Sequence, residues 1–128
     1  MTLLIDTHAL IWMLEDSPRI SGPAARAIKN VDNVTYVSIV SGWEMAIKVV
    51  SGKLSLPIPL REIFPGHLER LRIDILPIQP SHIHRLLELP RHHGDPFDRL
   101  IAAQALSEDF TLIGCDAAFD AYGVRRLW

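Results

Sequence analysis

Near its start the chain contains Leu3-Leu4-Ile5-Asp6-Thr7-His8-Ala9-Leu10-Ile11-Trp12, which carries a strong indication of the fold class. Its first three residues form a short apolar run, which is typical of a strand buried on both faces. Asp6 ends that run, and either Asp6 or Thr7 can cap a helix that continues to Glu15. Ligand crevices in open α/β sheets lie at the carboxyl ends of such strands. The stretch therefore predicts a βα unit with an acid at the edge of the sheet.

Strand and helix patterns alternate along the rest of the chain. Further strands are predicted at 34–37, 72–76, 111–113 and 124–127. Further helices are predicted from Ser21 through Asn30, from Ile39 through Val50, from Pro80 through Leu89 and from Asp95 through Ala105. Residues 60–71 allow one or two short helices between prolines. We expect one domain over residues 1–128, with an α/β fold of three layers in which helices flank a mostly parallel sheet.

Composition sets the class of protein. The chain is 48% hydrophobic and 22% charged, which is an ordinary globular composition. Its formal net charge of −2 gives no global basic field of the kind that indicates nucleic-acid binding. The single cysteine, Cys115, has no intrachain partner and favours a reducing, cytoplasmic environment. The apolar stretch near the start is too short to span a membrane and lacks a basic leader.

Four widely spaced acids are the candidate metal ligands: Asp6, Glu44, Asp98 and Asp116. Asp116 ends the apolar run 112–115 just as Asp6 ends the first one. These acids also have purely structural interpretations. Asp6 and Asp116 can each cap a helix. Asp98 lies in the first turn of a helix that Asp95 caps better, where a negative charge favours the helix dipole. Carboxylates that meet at one edge of a sheet would suit Mg²⁺, which binds oxygen ligands and substrate phosphates.

Glu44 lies beside an apolar stripe of the predicted helix 39–50, whose members are Ile39, Val40, Trp43, Ala46, Ile47 and Val50. One interpretation is a surface ion pair with Lys48 at the i, i+4 spacing, worth about 0.3 kcal/mol. The flanking Trp43 and Ile47 favour the other interpretation, in which the carboxylate points toward the rim of the core. An unpaired charge is costly there, and a metal ion would remove the cost.

Four stretches, in this order, resemble the PIN-domain family and, within it, VapC-type toxins of bacterial and archaeal toxin–antitoxin pairs. They are 4–12 (LIDTHALIW), 37–48 (VS, then SGWEMAIK), 92–105 (HHGDPFDRLIAAQA) and Asp116 with the ending 122–124 (YGV). The resemblance spans the whole chain and implies a PIN-like fold. It makes Asp6, Glu44, Asp98 and Asp116 the acidic metal-binding positions, and it leaves Asp95 as a capping or supporting residue.

The same resemblance implies a function. We expect a Mg²⁺- or Mn²⁺-dependent endoribonuclease that hydrolyses RNA phosphodiester bonds, with a cognate antitoxin and a homodimer as partners. Arg99, beside Asp98, would contact phosphate or pair with an acid, and pairing is the more common outcome at an acidic rim. His92 and His93 would be loop residues, facing either RNA or solvent.

One position departs from the family pattern: Gly114 stands where relatives often carry Ser or Thr, two residues before the last acid. The departure leaves open an alternative function, a catalytically silent PIN-like module that binds RNA or protein. A second alternative is an α/β phosphatase that uses Asp6 as its nucleophile. That chemistry usually needs another acid two residues later, where this chain has His8.

Overall fold

The chain alternates between strands and helices as its sequence predicts. A computed structural model describes residues 1–91 and 94–128, so the two histidines at 92 and 93 lie outside the described residues. The strands are β1 Thr2–Ile5, β2 Val34–Ser38, β3 Ile73–Leu76, β4 Thr111–Ile113 and β5 Arg126–Leu127. The α-helices are α1 Thr7–Leu14, α2 Gly22–Lys29, α3 Ile39–Val50, α4 Leu60–Glu62, α5 Leu68–Arg70, α6 Pro80–Glu88 and α7 Pro96–Glu108. A π-helical segment, Ile63–His67, joins α4 to α5, and a 3-10 helix, Ala117–Tyr122, precedes β5.

The strands of the described residues form one parallel sheet in the order β3-β2-β1-β4-β5. Side chains alternate across it, as the pleat of a strand requires. On β1, Leu3 and Ile5 pack in one core with Leu10 of α1, whereas Leu4 packs in the other core with Ile101 of α7. The predicted three-layer α/β fold is therefore confirmed. None of the helices in the described part of the chain is long and apolar enough to cross a bilayer.

The centre of the sheet creates a crevice. From β1 the chain moves outward through β2 to β3, and later strands fill the other side of β1, first β4 and then β5. The carboxyl ends of β1 and β4 are thus a topological switch point, where ligands bind in open α/β sheets. Asp6 extends the pairing of these two strands, since its backbone N–H donates to the Ile113 carbonyl at 2.9 Å.

Helix α3 buries a different face from the one its apolar residues predict. Its buried residues are Val40, Ser41, Glu44 and Met45. Ile39, Trp43, Ile47 and Val50 are exposed, with Trp43 56% and Val50 89% accessible. The prediction of a buried stripe holds for Val40 and is wrong for these four residues, because helical periodicity identifies an apolar face without specifying which neighbour covers it. Here the polar Ser41 turns inward, where its hydroxyl has a hydrogen-bond partner.

Candidate metal centre at the carboxyl edge of the sheet

Asp6 is buried at the switch point, with only 3% of the residue exposed. Its Oδ1 accepts a hydrogen bond from the Ala9 N–H at 2.7 Å, so of the two predicted candidates it is Asp6, and not Thr7, that caps α1. Its Oδ2 faces β4: a Cβ atom added to Gly114 would lie 2.5 Å from it. Gly114, the residue expected to depart from the family pattern, therefore leaves space for the Asp6 carboxylate.

Glu44 lies on the inward face of α3 and is 1% exposed. Its Oε2 accepts from Lys48 Nζ at 2.6 Å, so the i, i+4 ion pair that the flanking residues argued against is present. Its Oε1 is buried and has no hydrogen-bond partner among the described residues. A buried carboxylate oxygen without a partner carries a desolvation cost, and this is an observation that a bound cation would explain.

The charges of three of the predicted ligands act on one another. The pKa of Asp6 is raised from 3.8 to about 6, chiefly by burial and in smaller part by the negative charges of Asp98 and Glu44. The Ala9 hydrogen bond and the charge of His8 act in the opposite direction on that pKa. The fold therefore brings Asp6, Glu44 and Asp98 within electrostatic range, although they belong to three different helices. Asp6 caps α1, Glu44 lies on the inward face of α3, and Asp98 lies in the first turn of α7.

The other polar residues of the predicted site have more local roles. Asp95 caps α7, because its Oδ1 accepts from the backbone N–H groups of Phe97 and Asp98 at 2.8 and 3.2 Å. Asp116 is exposed, and its Oδ1 accepts from the Ala118 N–H at 2.9 Å as the cap of the 3-10 helix. It stands at the same sheet edge, where burial and then the charges of Asp6 and Asp116 raise the pKa of Cys115.

Arg99 does not pair with an acid among the described residues, so that expectation was wrong. Its Nη1 donates to the Pro90 carbonyl at 2.8 Å, and its guanidinium lies 5.8 Å from the centre of the Tyr122 ring. The backbone carbonyl and the aromatic face both attract a guanidinium, and they hold it along the start of α7.

Two buried hydrogen bonds that the sequence did not predict connect the elements that carry the acids. Thr7, next to Asp6, donates its hydroxyl proton to Ser41 Oγ at 2.9 Å, which joins the start of α1 to α3 one turn before Glu44. Ser38, the cap of α3, donates to Gln104 Oε1 on α7, the helix of Asp98. Only spatial proximity reveals these pairs, because their partners are far apart in sequence.

The donor set has the chemistry of a hard-cation site. Carboxylate oxygens are the protein ligands of Mg²⁺, which commonly keeps several waters and uses one or two carboxylates. Within residues 1–91 and 94–128, no three His, Cys, Asp or Glu side chains already lie together as a complete ligand set. Asp6 and the Glu44 oxygen that has no partner among the described residues are the oxygen donors that could hold such an ion.

Comparison with known proteins identifies the family. The PIN domain family model matches residues 3–124, which is nearly the whole chain. The chain belongs to the PIN domain family. This PIN domain is 31% identical over 116 residues to Ribonuclease VapC22 of Mycobacterium tuberculosis (strain ATCC 25618 / H37Rv), a match that covers 90% of this chain and 87% of the relative. The resemblance to PIN domains and to VapC-type proteins is therefore confirmed.

Solved structures agree with this PIN domain in fold. VapBC2 from Rickettsia felis, bound to a DNA fragment from its promoter, matches with a TM-score of 0.73 and 16% identity, over 99% of this chain and 98% of that one. DNA-bound VapBC from Salmonella typhimurium matches with a TM-score of 0.70 and 17% identity, over 99% and 97% of the two chains. At these identities the matches establish the architecture alone.

Proposed function

We propose that this PIN domain is a metal-dependent endoribonuclease and the toxin of a toxin–antitoxin pair. The observation that carries the proposal is the buried Glu44 carboxylate, one oxygen of which has no hydrogen-bond partner within residues 1–91 and 94–128, in electrostatic range of the buried Asp6 at the switch point of the sheet. Its similarity to Ribonuclease VapC22 supports RNA as the substrate. A cytoplasmic location belongs to the same proposal.

Asp6, Glu44 and Asp98 are the principal ligands in this proposal, directly or through water, and Asp116 supports them. A bound Mg²⁺ or Mn²⁺ would lower the pKa of a water molecule and neutralise charge on the phosphate that it attacks. The chain's own contribution is to hold mutually repelling carboxylates in place. The cap hydrogen bond fixes Asp6, and the Thr7–Ser41 hydrogen bond fixes α3 against α1.

The alternative of a silent binding module depends on Gly114. The Asp6 carboxylate fills the space that a side chain at position 114 would take. In this proposal Gly114 leaves room for the Asp6 carboxylate, which supports the nuclease over the binding module.

Two partners belong to the proposal. A basic side chain from an antitoxin would find the carboxylates an attractive target, because charge-assisted hydrogen bonds to carboxylates are strong. A homodimer is supported by the exposed apolar stripe of α3, formed by Ile39, Trp43, Ile47 and Val50. Exposed apolar patches of this kind commonly mark interaction surfaces. Copurification from the native host tests the first partner.

Cleavage of end-labelled RNA by the purified chain tests the activity, in Mn²⁺, in Mg²⁺ and in EDTA. We expect cutting in the presence of either metal, none in EDTA, and none by a folded Asp6→Asn variant. The matched control is Asp32→Asn, which changes an exposed aspartate before β2 at the opposite edge of the sheet. Equal cleavage by wild type and Asp6→Asn would refute the assignment, and no cleavage by metal-loaded wild type would favour the binding module.

A further inference from the structure

The two oxygens of Glu44 have different surroundings. Oε2 is 2.6 Å from Lys48 Nζ, whereas Oε1 is buried without a hydrogen-bond partner among the described residues. Only 2% of the Glu44 side chain is exposed, but 35% of the Lys48 side chain is. Lys48 therefore reaches from the solvent onto a buried carboxylate and neutralises it from one side only.

An ammonium group and a divalent cation compete for such a carboxylate. Lysine is a donor only, so Nζ cannot join a metal's ligand set, and its positive charge repels the ion. Glu44 without any cation would leave a buried, uncompensated charge close to Asp6 and Asp98. Within the described part of the chain, Lys48 is the cation that prevents this.

We propose that Lys48 is a resident counter-ion that holds Glu44 while the metal is absent and yields the carboxylate when a divalent cation binds. Its flexible stem and partial exposure allow the ammonium to move into solvent without a change in the backbone. Lys48 is thus a positioning residue that sets the metal concentration at which the site fills. This inference rests on the proposed metal-dependent function.

Calorimetric Mn²⁺ titration and thermal unfolding in EDTA test the proposal. The proteins compared are wild type, Lys48→Met, Lys48→Arg and the control Lys53→Met. Lys53 is an exposed lysine just beyond α3. We expect Lys48→Met to lower Tm in EDTA and to bind Mn²⁺ at least about fivefold more tightly, the lower end of the range for coupled ligands. Added Mn²⁺ should remove most of its Tm deficit. Lys48→Arg keeps the charge, and it and Lys53→Met should stay close to wild type in both measurements.

The outcomes separate this inference from the proposed function. If wild type binds Mn²⁺ and Lys48→Met binds it with equal or lower affinity, the counter-ion role is wrong while the metal site stands. If wild type binds no Mn²⁺, the metal-dependent function fails and this inference fails with it. Should Lys48→Met not fold in EDTA, Lys48→Gln, which keeps a hydrogen-bond donor without the charge, decides by the same comparison.

Discussion

Replacing Asp6 by Asn should stabilise the metal-free protein, and the gain should depend on pH. Burial raises the pKa of Asp6 from 3.8 to about 6. The folded state therefore holds the proton more tightly than the unfolded state does. The contribution of Asp6 to the free energy of unfolding is greatest below its pKa in the unfolded chain. It falls as the pH rises from about 4 to about 6 and is constant above that range.

The size of the loss follows from the same pKa. Each tenfold change in proton affinity corresponds to about 1.4 kcal/mol, so ionising Asp6 costs about 3 kcal/mol above pH 6. Asn carries no charge but keeps an oxygen that can accept the Ala9 hydrogen bond. Asp6→Asn should therefore exceed wild type in unfolding free energy by about 3 kcal/mol at about pH 7.5, and by well under about 1 kcal/mol at about pH 4.

Urea unfolding in EDTA, across about pH 4 to 8, measures this difference. Asp32→Asn is the control, and its difference from wild type should stay small at every pH because Asp32 is exposed. A difference between Asp6→Asn and wild type that is constant with pH, or that has the opposite sign at neutral pH, would refute the electrostatic argument. Saturating Mn²⁺ should narrow the gap at neutral pH, because a bound cation stabilises only the protein with the carboxylate.

Two further predictions concern positions 114 and 43. Gly114→Ala places a methyl group 2.5 Å from Asp6 Oδ2. Overpacking of this kind should lower the free energy of unfolding in urea by about 1–3 kcal/mol and weaken Mn²⁺ binding. Unchanged Mn²⁺ affinity would show that the position of Asp6 is not critical. Trp43→Glu puts a charge in the exposed stripe of α3 and should disrupt the proposed dimer. Light scattering should therefore give wild type twice the 14.4 kDa chain mass and the variant the mass of one chain. A Val31→Glu control should stay dimeric, and a monomeric wild type would refute the proposed dimer.

Much of the architecture was predictable because its signals are local. The run Leu3-Leu4-Ile5 followed by a capping acid predicted β1 and α1, and both are present. Asp95, followed by a proline in the first turn, predicted the start of α7 correctly. Such patterns depend on backbone hydrogen bonding and burial over a few residues, so a sequence reports them directly.

The predictions for Glu44 show where local signals fail. The sequence placed Trp43 and Ile47 inward and argued against a Glu44–Lys48 ion pair. In the structure Trp43 and Ile47 are exposed, and the Glu44–Lys48 ion pair is present. Helical spacing gives relative directions around an axis, and the absolute direction depends on what packs against the helix. Ser41 faces inward, where Thr7, on another helix, donates a hydrogen bond to its hydroxyl.

The sequence alone was enough to predict the order of strands and helices and the caps Ser21, Ser38 and Asp95, and to propose the four acids as a site. The sequence also favoured a Glu44 carboxylate directed toward the core, as observed, but only the tertiary structure shows Lys48 on one of its oxygens and none of the described residues on the other. The tertiary structure alone showed that Gly114 makes room for the Asp6 carboxylate. Burial and charge interactions depend on distances between residues far apart in the chain, so no local pattern encodes them.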